Sequence, residues 1–253
     1  MPQYLLAHHV FVCVQGEHVV FLDVRKDRYF ALESARTAGL GAVVPGWPVP
    51  APLAVDFVRQ SGGSAAHALA EQVNQPALSG VIALLLEKGI LVCAPEKGKR
   101  ADATVAEPLR GDVTADGFDD AARVGLRVFF RFASSAINAR LLLKNRTFET
   151  VIERTRRRAE QGRNRPALVT EAELHRLVHS FSTLQPFFFA AKDACLSDAL
   201  SFSEFLSGYG VFPKWVFGVQ SRPFAAHCWL QLDGLVLNDT VDHVKRYTPI
   251  MVV

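Results

Sequence analysis

The chain has 253 residues, 49% of them apolar and 21% charged, with a formal net charge of +3. That length suits one large domain or two small ones, and burial of roughly 70% of the unfolded surface removes any need for disulfide staples. So small a charge excess gives no argument for nucleic acid or a membrane surface as partner, and neither is expected; the longest apolar runs, such as residues 81–86, fall far short of a membrane span.

In chain order, two β-branched and aromatic runs, 10–14 and 19–23, flank Gln15, Gly16 and Glu17 and predict a hairpin. Residues 28–32 (RYFAL) predict a third strand, and Ser34 suits the N-cap of a helix over 35–43. The PGWPVPAP segment breaks that pattern. Helices follow at 65–73 and 77–88, the second ended by Gly89, with a closing strand at 90–93. Residues 94–115 lack apolar periodicity and read as a linker, so the expected division is 1–93, 94–115 and 116–253.

Beyond the linker, residues 118–143 carry Phe129, Phe132, Ala133 and Ala136 at helical spacings. Arg154, Arg156, Arg157, Arg158, Arg163 and Arg165 follow, which is the pattern of a solvated helix face. Thr170 and Glu173 have capping-box spacing ahead of an apolar face of Leu174, Leu177, Val178 and Phe181, and Pro186 stops that helix. Asp193 suits an N-cap placing Cys195 in the first turn of a helix that Gly208 ends. Strands at 215–219, 227–231 and 235–239 close the chain.

Cys195, His227 and Asp239 stand in the order nucleophile, base and orienting acid. A free thiol has a pKa of about 8.5, and a helix N-terminus together with an imidazolium favours its thiolate. For His227 and Asp239 to meet across a hairpin they must share a face. A two-residue turn at Asp233-Gly234 pairs Asp239 with Cys228 on the other face. A three-residue loop of Leu232, Asp233 and Gly234 sets His227 opposite Asp239, and Gly234 suits its left-handed third position. The three-residue loop is therefore expected, with Cys228 facing away from His227. The backbone N–H of Cys195 and the side chain of Gln185, ahead of Lys192, are the candidate oxyanion donors.

Cys13, Cys93 and Cys228 read as ordinary thiols. No Cys-x-x-Cys pair occurs, which fits a reducing cytosol, and MPQYLLAHHV lacks the pattern of a signal peptide, so a cytoplasmic location is expected. His175 and His179 share a helix face without the glutamate of the zincin pattern, and His8, His9 and His18 lie near strands without other ligands. No metal and no cofactor is expected.

Ala194-Cys195-Leu196, Ala199-Leu200, Gly208, Gly210, the VFGV of 216–219, Pro223-Phe224, Ala226-His227, Trp229, Asp233-Gly234, the VLND of 236–239 and the YTPI of 247–250 resemble the transglutaminase-like leader peptidases of lasso-peptide biosynthesis, the B proteins. The resemblance covers most of residues 120–253, and its one noted departure is Cys228, where the family pattern usually has alanine. The FLDVRKDRYFALE of 21–33 resembles the small peptide-recognition domain related to the PQQ-biosynthesis chaperone. Together these imply an α+β chain: a winged-helix-like recognition domain of three strands and three helices, then a transglutaminase-like, papain-like cysteine peptidase. The resemblance implies that a leader peptide adds as a strand beside residues 28–32, against the helix at 77–88, with Arg28, Tyr29, Phe30, Ala31 and Leu32 as the candidate contacts. It further implies removal of the leader from a ribosomally made precursor, after which an asparagine-synthetase-like cyclase closes the core. Acyl transfer to an amine and a non-catalytic scaffold that delivers the precursor stay open as alternatives.

Overall fold

The computed structural model describes residues 3–48, 75–113, 125–163, 169–188 and 195–253. They fall into two compact units, Met1–Val105 with Val219–Ala225 and Thr248–Met251, and Ala106–Gly218 with Ala226–Tyr247 and Val252–Val253. The helix expected at 65–73 lies outside the described residues, as do Lys192, Asp193 and Arg165.

In the first unit, β2 (Val10–Gln15), β3 (His18–Asp23) and β4 (Arg28–Glu33) form an antiparallel sheet in the order β2-β3-β4. Gln15 pairs with His18, so the turn is two residues long, with Gly16 at φ 59°. The expected helix over 35–43 divides into α1 (Ser34–Thr37) and a 3-10 turn (Ala38–Ala42). Gly39 and Gly41 give the α-helix little support there. Ser34 is buried inside the helix rather than capping it; Glu33 occupies the cap position. α2 (Gln75–Glu87) is followed by Gly89 at φ 70°. Phe21, Leu40, Trp47 and Leu85 are buried in this unit's core.

Three strands, β1 (Leu5–Ala7), β6 (Gly98–Lys99) and β7 (Gly111–Asp112), gave no sequence signal. β1 pairs with β5 (Leu91–Val92) and with β6. β7 runs parallel to β10 (Leu235–Val236). The stretch read as a linker therefore supplies β6 and β7, one strand to each of two sheets. Two-residue strands have no periodicity to detect. At β6 the glycine is itself the requirement, since a Cβ on Gly98 would stand 2.4 Å from that of Leu5.

The second unit carries α3 (Leu126–Asn145), α4 (Phe148–Arg163), α5 (Glu171–Leu184) and α6 (Cys195–Ser207). Phe132 of α3 is fully buried and meets Phe181 of α5 edge-on at 5.0 Å, while Phe181 stacks on Phe202 of α6 at 4.2 Å. This aromatic core ties α6 to α3 and α5. Thr170 and Glu173 make the reciprocal capping box at the start of α5. On α4, Arg156 and Arg157 pair with Glu153, and Arg158 pairs with Glu204 of α6, so these cations are engaged with carboxylates of the chain.

The remaining elements are β8 (Lys214–Ser221), β9 (Phe224–Leu232), β10, α7 (Val241–Val244) and β11 (Thr248–Val252). The sheet order is β11-β8-β9-β10-β7. On β8, Gly218 is obligatory: a Cβ there would come within 2.8 Å of Tyr247 and 2.9 Å of the Trp229 ring.

The β9–β10 hairpin corrects the expected register. Leu232 pairs with Leu235 and Gln231 with Val236, across a two-residue turn with Asp233 at φ 50° and Gly234 at φ 84°. Aspartate tolerates the left-handed region well enough to supply the first position of such a turn, so a third loop residue is not required. β10 also ends at Val236, not at Asp239. The Leu237 N–H still reaches the Leu230 carbonyl at 3.0 Å, but the Leu230 N–H donates to the Asn238 side chain at 2.8 Å, where a regular ladder would use the Leu237 carbonyl. Among the described residues, no helix is long and apolar enough to cross a membrane.

Candidate active site

Cys195 opens α6 as the structure describes it, and is half-buried. His227 lies within β9 rather than at its start. Its Nε2 stands 2.5 Å from Asp239 Oδ2. An ionised carboxylate only accepts, so Nε2 carries the proton and Nδ1 is the nitrogen left for the Cys195 sulfur, which hydrogen-bonds the ring. The structure thus brings Cys195, His227 and Asp239 into one chain of contacts.

The route to that meeting differs from the expected one. Strict alternation in the observed register would turn Asp239 onto the face of Cys228. The ladder stops first. Once the Asn238 side chain has taken the Leu230 N–H, residues 237–239 bend away from the pleat, and Asp239 is free to approach His227.

Cys228 is part of the site, contrary to its reading as an unrelated thiol. Its thiol hydrogen-bonds Cys195, and so does its backbone N–H. Burial, reinforced by the bond to Cys195 and its charge, pushes the Cys228 pKa well above the ordinary value, so Cys228 stays a protonated donor. The Cys195 pKa moves the other way. The Cys228 thiol and then His227 donate to the sulfur and outweigh burial, bringing it down to about 4. For His227, burial opposes the charged ring, but the bonds to Asp239 and Cys195 and their charges overcome it and raise the pKa to about 9. Burial likewise works against ionisation of Asp239, yet bonds from His227, His243 and the Thr240 N–H hold its pKa below the usual value. Between the two titrations, sulfur and imidazole stand as a thiolate–imidazolium pair, in which the sulfur is nucleophilic.

Behind the sulfur is a buried carboxyl that sequence reasoning missed. Asp198 lies one turn along α6 from Cys195 and is only 6% exposed. Burial raises its pKa to about 6, against the bonds it accepts from Asn238, at 3.4 Å, and from Gln185. Gln185, the candidate oxyanion donor, follows the last residue of α5, and its amide is engaged with Asp198. A second residue missed was His243, whose Nδ1 lies 2.8 Å and 3.0 Å from the two Asp239 oxygens. The spacing Thr240-x-x-His243, a cap followed by a residue in the first turn, was the available signal. The ligand atoms of His227, Asp239 and His243 lie within 4.8 Å of one another and have the donor types of a divalent-ion site.

The residues expected to meet a leader all lie on β4. Among the described residues, β4 pairs only with β3, which leaves its other side an edge. Phe30 stacks flat on Phe21 at 4.5 Å, and Phe30 and Leu32 pack against the core of their own unit. Tyr29 alternates to the other face, near Phe224, while Arg28 and Ala31 are exposed.

The model of the transglutaminase-like superfamily matches residues 135–252, a span that begins within α3 and holds Cys195, His227 and Asp239. The C-terminal part of this mixed α/β chain is therefore a transglutaminase-like domain, of a superfamily whose members are typically cysteine peptidases or acyltransferases. No curated protein and no solved structure matches the chain.

Proposed function

We propose that the chain is a cysteine peptidase that removes the leader from a ribosomally made lasso precursor, freeing the core's N-terminal amine for ring closure by a separate asparagine-synthetase-like, ATP-using cyclase. The observation that carries the reading is the contact chain from Cys195 through His227 to Asp239 inside the transglutaminase-like domain. In the reaction, the Cys195 thiolate attacks the carbonyl of the scissile bond and forms a thioester, while His227 donates its proton to the departing amine of the core. His227 then draws a proton from water, which adds to the thioester and releases the leader as a carboxylate with Cys195 restored. Asp239 keeps His227 in the tautomer and charge state these transfers need. The N–H of Cys195 and the amide of Gln185 are the proposed donors to the developing oxyanion.

The β2-β3-β4 sheet supports the leader-binding half of the reading. An edge strand offers unpaired backbone groups to an extended peptide, which adds as a further strand beside Arg28, Tyr29, Phe30, Ala31 and Leu32. With Phe30 and Leu32 committed to the core, specificity falls to Arg28, Tyr29 and Ala31. Mass spectrometry of the chain incubated with a candidate leader-bearing precursor peptide tests the proposal. Two fragments from the wild type, none from Cys195→Ala and unchanged leader affinity in that variant are the expected results. A cross-link to an amine in place of hydrolysis would make the chain an acyltransferase. Delivery of the precursor without any cleavage would make it a scaffold.

A further inference from the structure

We propose that His243 is a positioning residue of this site, the clamp that holds the Asp239 carboxylate where His227 can donate to it; the inference rests on the thiol-hydrolase reading above. Asp239 needs such a clamp because no strand fixes it. β10 ends at Val236, and the segment that carries Asp239 has already left the ladder. Rotation about the side-chain bonds is restricted only by what the carboxylate touches.

Among the described residues, three donors touch it. His227 Nε2 approaches Oδ2 at 2.5 Å, and the Thr240 N–H reaches Oδ1 at 2.7 Å. His243 Nδ1 forks across both oxygens, 2.8 Å from Oδ2 and 3.0 Å from Oδ1. Since the carboxylate only accepts, this nitrogen is protonated and donates. The Thr240 contact is made by the next residue in the chain and moves with Asp239. The His227 contact is the one to be positioned. Only His243 supplies an independent fixed point.

That point is itself anchored. His243 sits on α7, where the Thr240 hydroxyl accepts the His243 N–H at 3.3 Å and Asp112 of β7 accepts the Val241 N–H at 2.8 Å. The His243 ring lies 4.9 Å from that of His227, and Tyr247 packs against both, at 5.4 Å and 5.2 Å. The ionisable groups that touch the clamped carboxylate are His227 and His243; Cys195 bonds the His227 ring, Tyr247 packs on both imidazoles, and Asp112 accepts from the start of α7. A histidine kept only for packing would not need to aim a donor at both oxygens of one carboxylate.

The experiment reads the Cys195 thiolate directly and needs no substrate. Full-length protein carrying Cys93→Ser, which removes the exposed thiol, is treated with iodoacetamide across pH, and the Cys195 adduct is quantified by mass spectrometry. Two variants are compared after circular dichroism shows that they are folded. In His243→Leu the donor is gone, and the midpoint should climb by about one pH unit from its value of about 4, which slows alkylation about fivefold at pH 4 and hardly at pH 6. In His243→Asn the amide Nδ2 takes the place of Nδ1, and the rate should stay within about threefold of the parent. His243→Ala serves as the donor-free variant if the leucine does not fold. A donor-free variant with the parent's rate and midpoint overturns the proposal, and so does an asparagine no better than leucine. An ordinary thiol titration in the parent protein overturns the hydrolase reading beneath it, and that failure is seen before any His243 variant is made.

Discussion

Asp198 gives the sharpest quantitative test of the site. Its carboxyl is buried behind Cys195, and its pKa is raised by that burial from 3.8 to about 6. Two units correspond to about 3 kcal/mol by which the native state disfavours the ionised form, at ~1.36 kcal/mol per unit. The sign follows from which state ionises first. Below about pH 4 the group is protonated in native and unfolded chains alike, and no penalty exists. As pH rises from about 4 to 6 the unfolded chain loses its proton while the native chain keeps it, and stability falls. Above about pH 6 the full penalty is present. Asp198→Asn has nearly the same shape and cannot ionise, so it should leave stability unchanged at pH 4. At pH 7.5 it should add about 3 kcal/mol, because the raised pKa already includes the bonds from Asn238 and Gln185. Urea denaturation at both pH values, with equal m-values for the two proteins, measures this. An increment that is the same at both pH values, or a loss at pH 7.5, would refute the buried-carboxyl account.

Three further outcomes are expected. Cys228→Ala removes the thiol donor but keeps the backbone one, so the Cys195 titration should move up by about one unit; alkylation then slows about fivefold near pH 4 and hardly at pH 8. Asp239→Asn leaves His227 with a partner that can hold the wrong tautomer, so peptide cleavage should fall about 10³- to 10⁴-fold in kcat while the melting temperature shifts by only a few degrees. Phe132→Ala opens a cavity among Phe132, Phe181 and Phe188 and should cost about 3–5 kcal/mol in urea unfolding; a cost below about 1 kcal/mol would mean that the aromatic core does not fix the helix layer.

What could be read from the sequence, and what could not, divides along a physical line. The hairpin of β2 and β3, the capping box of Thr170 and Glu173 and the long strands β8 and β9 announce themselves through local pattern, and each is present. β1, β6 and β7 are two or three residues long and held by partners distant in sequence, so no local pattern specifies them. The same holds within the site. Cys195, His227 and Asp239 stood out because their chemistry and order are distinctive, and the structure brings them into contact. Asp198, Cys228 and His243 were not, because a serine-flanked aspartate on a helix, a cysteine in a strand and a histidine near a turn look ordinary until the fold supplies their neighbours.

The hairpin register shows how a sound rule led to the wrong turn. Alternation does require opposed residues to share a face, and from that requirement a three-residue loop followed. The premise that failed was continuity of the strand to Asp239. Asn238 ends the ladder with its own side chain, so the base sits on a regular strand while the acid sits on a bend beyond it. Such an arrangement separates two demands. β9, joined to β8 and farther along to β10, carries His227 and Cys228, and both bond the Cys195 sulfur of α6. The bend lets Asp239 take its orientation from hydrogen-bond donors rather than from the pleat, and the Asp112–Val241 bond ties those donors to β7. It follows that the stretch read as a linker helps to fix the acid. Asp112→Ala, far from Cys195 in sequence, should therefore weaken the low-pH alkylation of Cys195 in the same direction as loss of the His243 donor, though by less, because Thr240 still caps α7. An Asp112→Ala protein with an unchanged alkylation profile would show that α7 holds its place without β7.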